Sequence, residues 1–294
     1  GAKGDQKGAA TATTSHPELP TFDCQPSTSH LRLLTRLIFC WFLKEKGLIP
    51  ETLFDEHSLA DILIDPVFSE IFWFIKDFTP LKFDPREMPR PQHILITHGH
   101  YDHLDKESLA VFDKKTHVIS PLGYNDIFED LSMKNRTPLD WYDSFDDGRM
   151  KITFLPGNHW TMRSPITGPN RSLWGSYLIR LRSGYTIFVS GDTAYFDGFE
   201  LLGSEYKIDL AVFNVGAYEP RWFMAQSHTN PQETVQAFKE LNADKMMIIH
   251  WGTFRLGNEP VHFPPMQVKE ELKKESLLDR YVDLKHGETL YLDA

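Results

Sequence analysis

Leu95-Ile96-Thr97-His98-Gly99-His100-Tyr101-Asp102-His103-Leu104-Asp105 sets three imidazoles and a carboxylate within six positions, directly behind a short apolar run. Residues 94–96 have the length and character of a buried strand, so the polar cluster starts where the strand stops. Such a cluster makes a poor core, because each imidazole and carboxylate needs a partner once it leaves water. It also makes an unusual solvated turn. A divalent ion of borderline softness, zinc above all, takes this mixture of nitrogen and carboxylate oxygen. Alternate side chains of an extended backbone point the same way, so His98 and His100 can hold one ion while Asp102 and His103 turn toward a second. A lone histidine is ordinarily a satisfied structural group; His-x-His-x-Asp-His is far harder to explain that way.

Outward from this loop, composition sets the bounds. A chain of 294 residues with 41% hydrophobic content is long enough for one large α/β domain or two small ones. Lysine and arginine number 31 against 41 aspartates and glutamates, a formal net charge of −10. Nucleic acid is therefore excluded as the expected partner, since phosphate backbones are bound through clustered basic residues. The two cysteines, Cys24 and Cys40, lie away from every candidate ligand, which argues against a disulfide framework. The chain starts Gly-Ala-Lys-Gly rather than with Met, as expected of a processed or engineered end, and no targeting signal is read from it.

Residues 1–29, rich in Gly, Ala, Thr, Ser and Pro without hydrophobic period, predict a mobile tail. Residues 30–294 are expected to form a single domain, of which 30–56 is a helical segment. Within it, residues 31–43 are apolar at helical spacing, with Arg32 and Arg36 one turn apart and Lys44 and Lys46 following. That run is short of the ~20 residues that span a bilayer. It predicts either a helix packed on the domain or one lying in a membrane interface. Residues 59–64 read as a strand ending in Asp65-Pro66, and the apolar patch of residues 67–74 reads as core, with an acyl-chain groove as the alternative.

After the loop, Asp105 predicts a helix cap for residues 106–112, and residues 117–120 predict a strand whose His117 is structural. Further strands are expected at 150–155, 176–181, 185–190, 210–215 and 246–249. Asn230, Pro231 and Glu233 predict the start of a helix carrying Val235, Phe238 and Leu241. His159, Asp192 and His250 each follow one of these strands, where α/β sheets build sites.

Five imidazoles and two carboxylates at strand ends suit two ions. With His98, His100, Asp102 and His103 the chain resembles the metallo-β-lactamase superfamily, whose four-layer αβ/βα sandwich is the fold this implies, here with an atypical N-terminal portion. By that resemblance His98, His100 and His159 hold one ion, Asp102, His103 and His250 the other, and Asp192 bridges them. Within the superfamily the chain is most similar to the N-acylphosphatidylethanolamine-hydrolysing phospholipases D. Gly216-Ala217-Tyr218-Glu219-Pro220-Arg221-Trp222-Phe223-Met224, leading to His228 and Pro231, carries this, with His250-Trp251-Gly252-Thr253-Phe254 and Leu284-Lys285-His286-Gly287-Glu288. The resemblance runs over residues 59–294. Relatives carry a Trp-Leu-Gly-His-type strand before the Asp-Pro corner, which is missing upstream of Asp65-Pro66, and Asn230 stands where relatives often have Asp.

The resemblance implies a zinc-dependent phosphodiesterase. Asp102, Asp192 and His228 are its candidate catalytic residues, and Asp65 is a carboxylate that orients a ligand histidine. A phospholipid or another small ester would be its substrate. The location would be cytoplasmic or peripheral at a membrane. A lactonase is the second enzyme reading, because the same metal pair polarises a carbonyl. A metal-containing binding protein without turnover is the third, and the full ligand set argues against it. If the helix at 31–43 meets lipid headgroups, replacing both Arg32 and Arg36 by Glu will weaken cosedimentation with anionic vesicles at low salt and leave hydrolysis of a soluble diester unchanged. Unaltered cosedimentation would assign that helix to packing.

Overall fold

A computed structural model of the chain describes residues 62–71, 75–81, 83–88 and 90–290. The expected tail, the helix at 31–43, both cysteines and residues 72–74 of the apolar patch lie outside the described residues.

Most strands are apolar along both faces because each sheet is covered on both sides. The first sheet has the order β1-β2-β3-β4, all parallel, from Ile62–Ile64 (β1), His93–Leu95 (β2), His117–Pro121 (β3) and Arg136–Leu139 (β4). The second has the order β10-β9-β8-β7-β6-β5. It is built from Ser144–Asp146 (β5), Met150–Leu155 (β6), Ser176–Leu181 (β7), Thr186–Val189 (β8), Leu210–Asn214 (β9) and Lys245–Ile249 (β10). β8, β9 and β10 are mutually parallel, and the antiparallel steps at β7 return β6 to the same direction.

The period of two along each strand sorts side chains between cores. Ile62, Ile64, Leu95 and Ile119 from the first sheet meet Ile152, Phe154, Ile179, Ile187, Val189 and Val212 from the second in one central cluster. The alternate residues face outward. Leu63, Ile94, Ile96 and Val118 pack under the helices Lys106–Leu109 and Asn125–Asp130. Leu178, Phe188, Ala211, Phe213 and Ile248 pack under the helices Gly198–Glu205, Pro231–Glu240 and Pro264–Lys274. Helix, sheet, sheet, helix is the four-layer sandwich expected.

Local sequence sets the element ends. Asn230 accepts from the backbone of Glu233 while Glu233 reaches back to the backbone of Asn230, a capping box in front of Pro231. The side chain of Asp105 accepts from the backbone N–H of Ser108 at 2.8 Å, but the helix it caps ends at Leu109 rather than at 112. Residues 110–112 continue as tighter turns, with Phe112 N–H bonded to Leu109 O, and Phe112 still reaches the core. β4 and β5 were not expected: they are short edge strands without an apolar alternation, and β4 contains Pro138, which only an edge tolerates. Of the apolar patch, Val67 and Ile71 are buried in the central cluster and Phe68 packs against the cluster under the helices of the first sheet, so its described apolar side chains fill core.

Tyr177 joins the two sheets: fully buried on β7, it donates its hydroxyl to Ile96 O at 2.8 Å, where the histidine loop leaves β2. Tyr177→Phe leaves that carbonyl short of a donor in a dry environment. It is expected to cost about 1–3 kcal/mol, read from the urea midpoint at unchanged slope.

Candidate metal centre

The loop after β2, the turn after β6 and the ends of β8 and β10 all open on one edge of the sandwich, and there the candidate ligands meet. Ring nitrogens of His98, His100 and His159 form one group: His98 Nε2 lies 2.9 Å, and His159 Nε2 3.2 Å, from His100 Nδ1. Asp102, His103, Asp192 and His250 form a second. His103 Nε2 is 3.2 Å from His250 Nε2 and 3.2 Å from Asp192 Oδ2. Asp102 Oδ2 is 3.5 Å from His103 Nε2 and 3.4 Å from His250 Nε2. Asp192 Oδ2 also stands 3.9 Å from His98 Nε2, which puts this carboxylate between the two groups. For comparison, two donors of one tetrahedral zinc, each about 2.0–2.1 Å from the ion, stand roughly 3.3 Å apart.

The partners behind the rings fix which nitrogen carries a proton. Ser227 O can only accept, so His159 Nδ1 donates to it at 2.9 Å and Nε2 is left with its lone pair. Thr97 Oγ1 donates to Asp65 Oδ2 at 2.6 Å and therefore accepts from His98 Nδ1 at 3.0 Å, with the same result at His98 Nε2. His103 Nδ1 donates to Asp65 Oδ2 at 2.7 Å. The lone pairs of His98 and His159 thus converge on His100 Nδ1, which has at most one proton to give, and a cation is what such a geometry fits.

Charge argues the same way. Burial pushes His98 well below the usual imidazole range, aided by His103, His100 and His159 around it. Burial likewise lowers His100, and takes His159 to about 3. Burial alone would raise Asp102 and Asp192, yet His103 beside each, with His250 close by, holds both carboxyls well below their ordinary value. His103 moves upward despite its burial because Asp192, Asp102 and Asp65 surround it. The neutral rings of His98, His100 and His159 and the ionised carboxylates are in the states that a metal needs, and the upward shift of His103 marks negative charge that a bound cation would offset in place of its proton.

Every residue named as a site candidate from sequence therefore comes together: the seven candidate ligands, Asp65 behind His103, and His228. His228 Nδ1 lies 3.9 Å from Asp192 Oδ2, and His159, Asp192 and His228 form a third grouping within metal reach. Burial lowers His228 to about 4. His117, read as structural, starts β3 at the far end from the ligand loops and contacts His93 Nδ1 and Thr137 Oγ1, both at 2.9 Å. Three contributors went unnoticed in the sequence: Thr97, the Ser227 carbonyl, and Asn214, whose Nδ2 donates to Asp192 Oδ1 at 2.8 Å.

The quoted motifs brace the site. Arg221 donates to His228 O at 2.9 Å and to both oxygens of Glu233 at 2.8 Å, which ties residues 216–224 to the segment carrying His228. His250 adopts φ 68°, and after it Gly252, at φ 87°, has no room for a Cβ because His286 packs there; His286 also packs on Trp251 at 4.4 Å.

The profile of the beta-lactamase superfamily domain matches residues 60–251. Over 213 residues the chain is 33% identical to the mitochondrial N-acyl-phosphatidylethanolamine-hydrolyzing phospholipase D of Saccharomyces cerevisiae, covering 67% of this chain and 45% of that protein. It is 28% identical over 276 residues to N-acyl-phosphatidylethanolamine-hydrolyzing phospholipase D 1 of Caenorhabditis elegans, covering 86% of this chain and 76% of that one. Among solved structures, a possible metal-dependent hydrolase from Veillonella parvula superposes with a TM-score of 0.64 at 14% identity, over 80% of this chain and 94% of its own.

Asp65→Ala frees the ring of His103 without removing a ligand atom, so metal affinity should fall about 10–100-fold by chelator competition. Asp192→Ala, which takes an oxygen from the middle of the cluster, should do more. Equal losses would contradict the central placement of Asp192.

Proposed function

The chain belongs to the β-lactamase superfamily, and from that premise we propose that it is a metal-dependent hydrolase, a phospholipase D-type phosphodiesterase acting on N-acylphosphatidylethanolamine-like lipids. The observation that carries the reading is the clamp of residues 216–224 on His228. The narrowest motif in the chain thus holds the backbone of His228, whose imidazole, among the described residues, lies beside the cluster outside its two principal donor groups. The two relatives named for this activity support it.

Two divalent ions, zinc by donor chemistry, are proposed: one on His98, His100 and His159, one on Asp102, His103 and His250, with Asp192 shared. Such a pair supplies hydroxide from water near neutral pH and neutralises charge at a phosphoryl oxygen. Asp102 and Asp192, held ionised, balance that charge and orient the attacking water. His228, neutral above about 4, donates one N–H and accepts at its other nitrogen. It can hydrogen-bond the phosphoryl group or the departing alkoxide oxygen without adding charge to the site. In-line attack breaks the bond between phosphorus and the N-acylethanolamine oxygen. Phosphatidate keeps the oxygen from water, and the alcohol leaves with a proton. Around this edge Trp222 and Phe223 are 86% and 52% exposed, and Trp160 packs on His100 at 4.6 Å, which gives acyl chains an apolar surface. Contact with a membrane surface belongs to the same reading. No helix of the described residues is long and apolar enough to cross a bilayer.

Metal-loaded protein assayed against N-acylphosphatidylethanolamine, a soluble diester and a lactone panel should release N-acylethanolamine. Turnover of lactones alone would replace this reading. His228→Ala should keep the full metal content while lowering kcat about 10²–10⁴-fold. Loss of metal would make His228 a ligand. Elemental analysis should find two ions per chain, and a value near one after reconstitution would exclude the paired arrangement.

A further inference from the structure

We infer that Asn214 is a positioning residue for the metal centre: by holding Asp192 Oδ1 it fixes the direction in which Asp192 Oδ2 faces the two histidine groups. Asn214 ends β9, between the strands that deliver Asp192 and His250, with Ile249 as its register partner on β10. Its backbone N–H is already bonded to Ser190 Oγ at 3.0 Å, so the strand does not need the amide for anchorage. Its side-chain Nδ2 donates to Asp192 Oδ1 at 2.8 Å. The other oxygen, Asp192 Oδ2, is then aimed at His103 Nε2 at 3.2 Å and at His98 Nε2 at 3.9 Å. Rotation of the carboxylate would break the hydrogen bond from Asn214 Nδ2 and withdraw Oδ2 from one group or the other.

The amide orientation is settled by chemistry. Turned over, it would set Asn214 Oδ1 against an ionised carboxylate, acceptor to acceptor. In the orientation observed Oδ1 is buried with no hydrogen-bond partner, a state that costs stability. The four preceding residues of β9, Leu210, Ala211, Val212 and Phe213, are apolar and buried. An aliphatic side chain would suit a strand of this kind better. What the amide provides in exchange is a single directed hydrogen bond to the carboxylate between the two donor groups.

The inference rests on Asp192 meeting metal and not on which substrate is hydrolysed, so it stands or falls separately from the lipid reading. The test uses the full chain with Asn214→Leu, which keeps the volume and removes the donor, and Asn214→Ala. Zinc affinity is read by chelator competition, cobalt geometry from the visible spectrum of the cobalt-substituted protein, and fold integrity from thermal melting of the metal-free form. Positioning predicts about a 10–100-fold loss of zinc affinity and a changed cobalt spectrum, with metal-free melting of the Leu variant close to wild type. A merely structural role predicts lowered melting with wild-type affinity and spectrum, and that result overturns the inference. If the Leu variant does not fold, the Ala variant decides by the same affinity and spectrum.

Discussion

The carboxylate of Asp65 is the point on which the site depends. It accepts from Thr97 N–H at 2.7 Å through Oδ1, and from Thr97 Oγ1 and His103 Nδ1 at 2.6 and 2.7 Å through Oδ2. Those bonds tie the end of β1 to the start of the histidine loop and set the protons of two rings, His103 directly and His98 through Thr97. Asp65 itself sits at φ 46°, a left-handed conformation uncommon outside glycine, held there in part by its N–H on Leu95 O at 2.9 Å. A buried carboxylate in this position is expensive unless it is fully bonded, and here it is.

Around that point the protein gathers negative charge in a dry place. Asp65, Asp102 and Asp192 all lie about His103, and His98, His100 and His159 are kept neutral by their burial. Among protein groups alone this arrangement leaves electrostatic work undone. A metal cation would complete it, which is why the cluster reads as a metal centre from its own chemistry.

Much of this was written in the chain. The ligand loop, the apolar runs of β6 to β10 and the cap at Asn230 are local signals, each set by residues within one or two turns. β4 and β5 carry no such signal, because an edge strand is made by its neighbour rather than by its own pattern. The same holds for Thr97 and Asn214. Their roles come from hydrogen bonds to residues 32 and 22 positions away, and neither residue type is unusual in itself. A polar residue closing an otherwise apolar strand was the one hint at Asn214. His228 stands between these cases: only the family motif singled it out, and the fold explains why, through Arg221.

The ligands also come from both sheets and from distant parts of the chain, His103 and His250 being 147 positions apart. Such a site cannot exist in a half-folded chain, since closing loops of that length has to precede any gain from the contacts they bring. An ion therefore has no template to offer early in folding. It would meet a finished interface, and by holding residues from both sheets it would act as a rivet across the seam between their apolar faces.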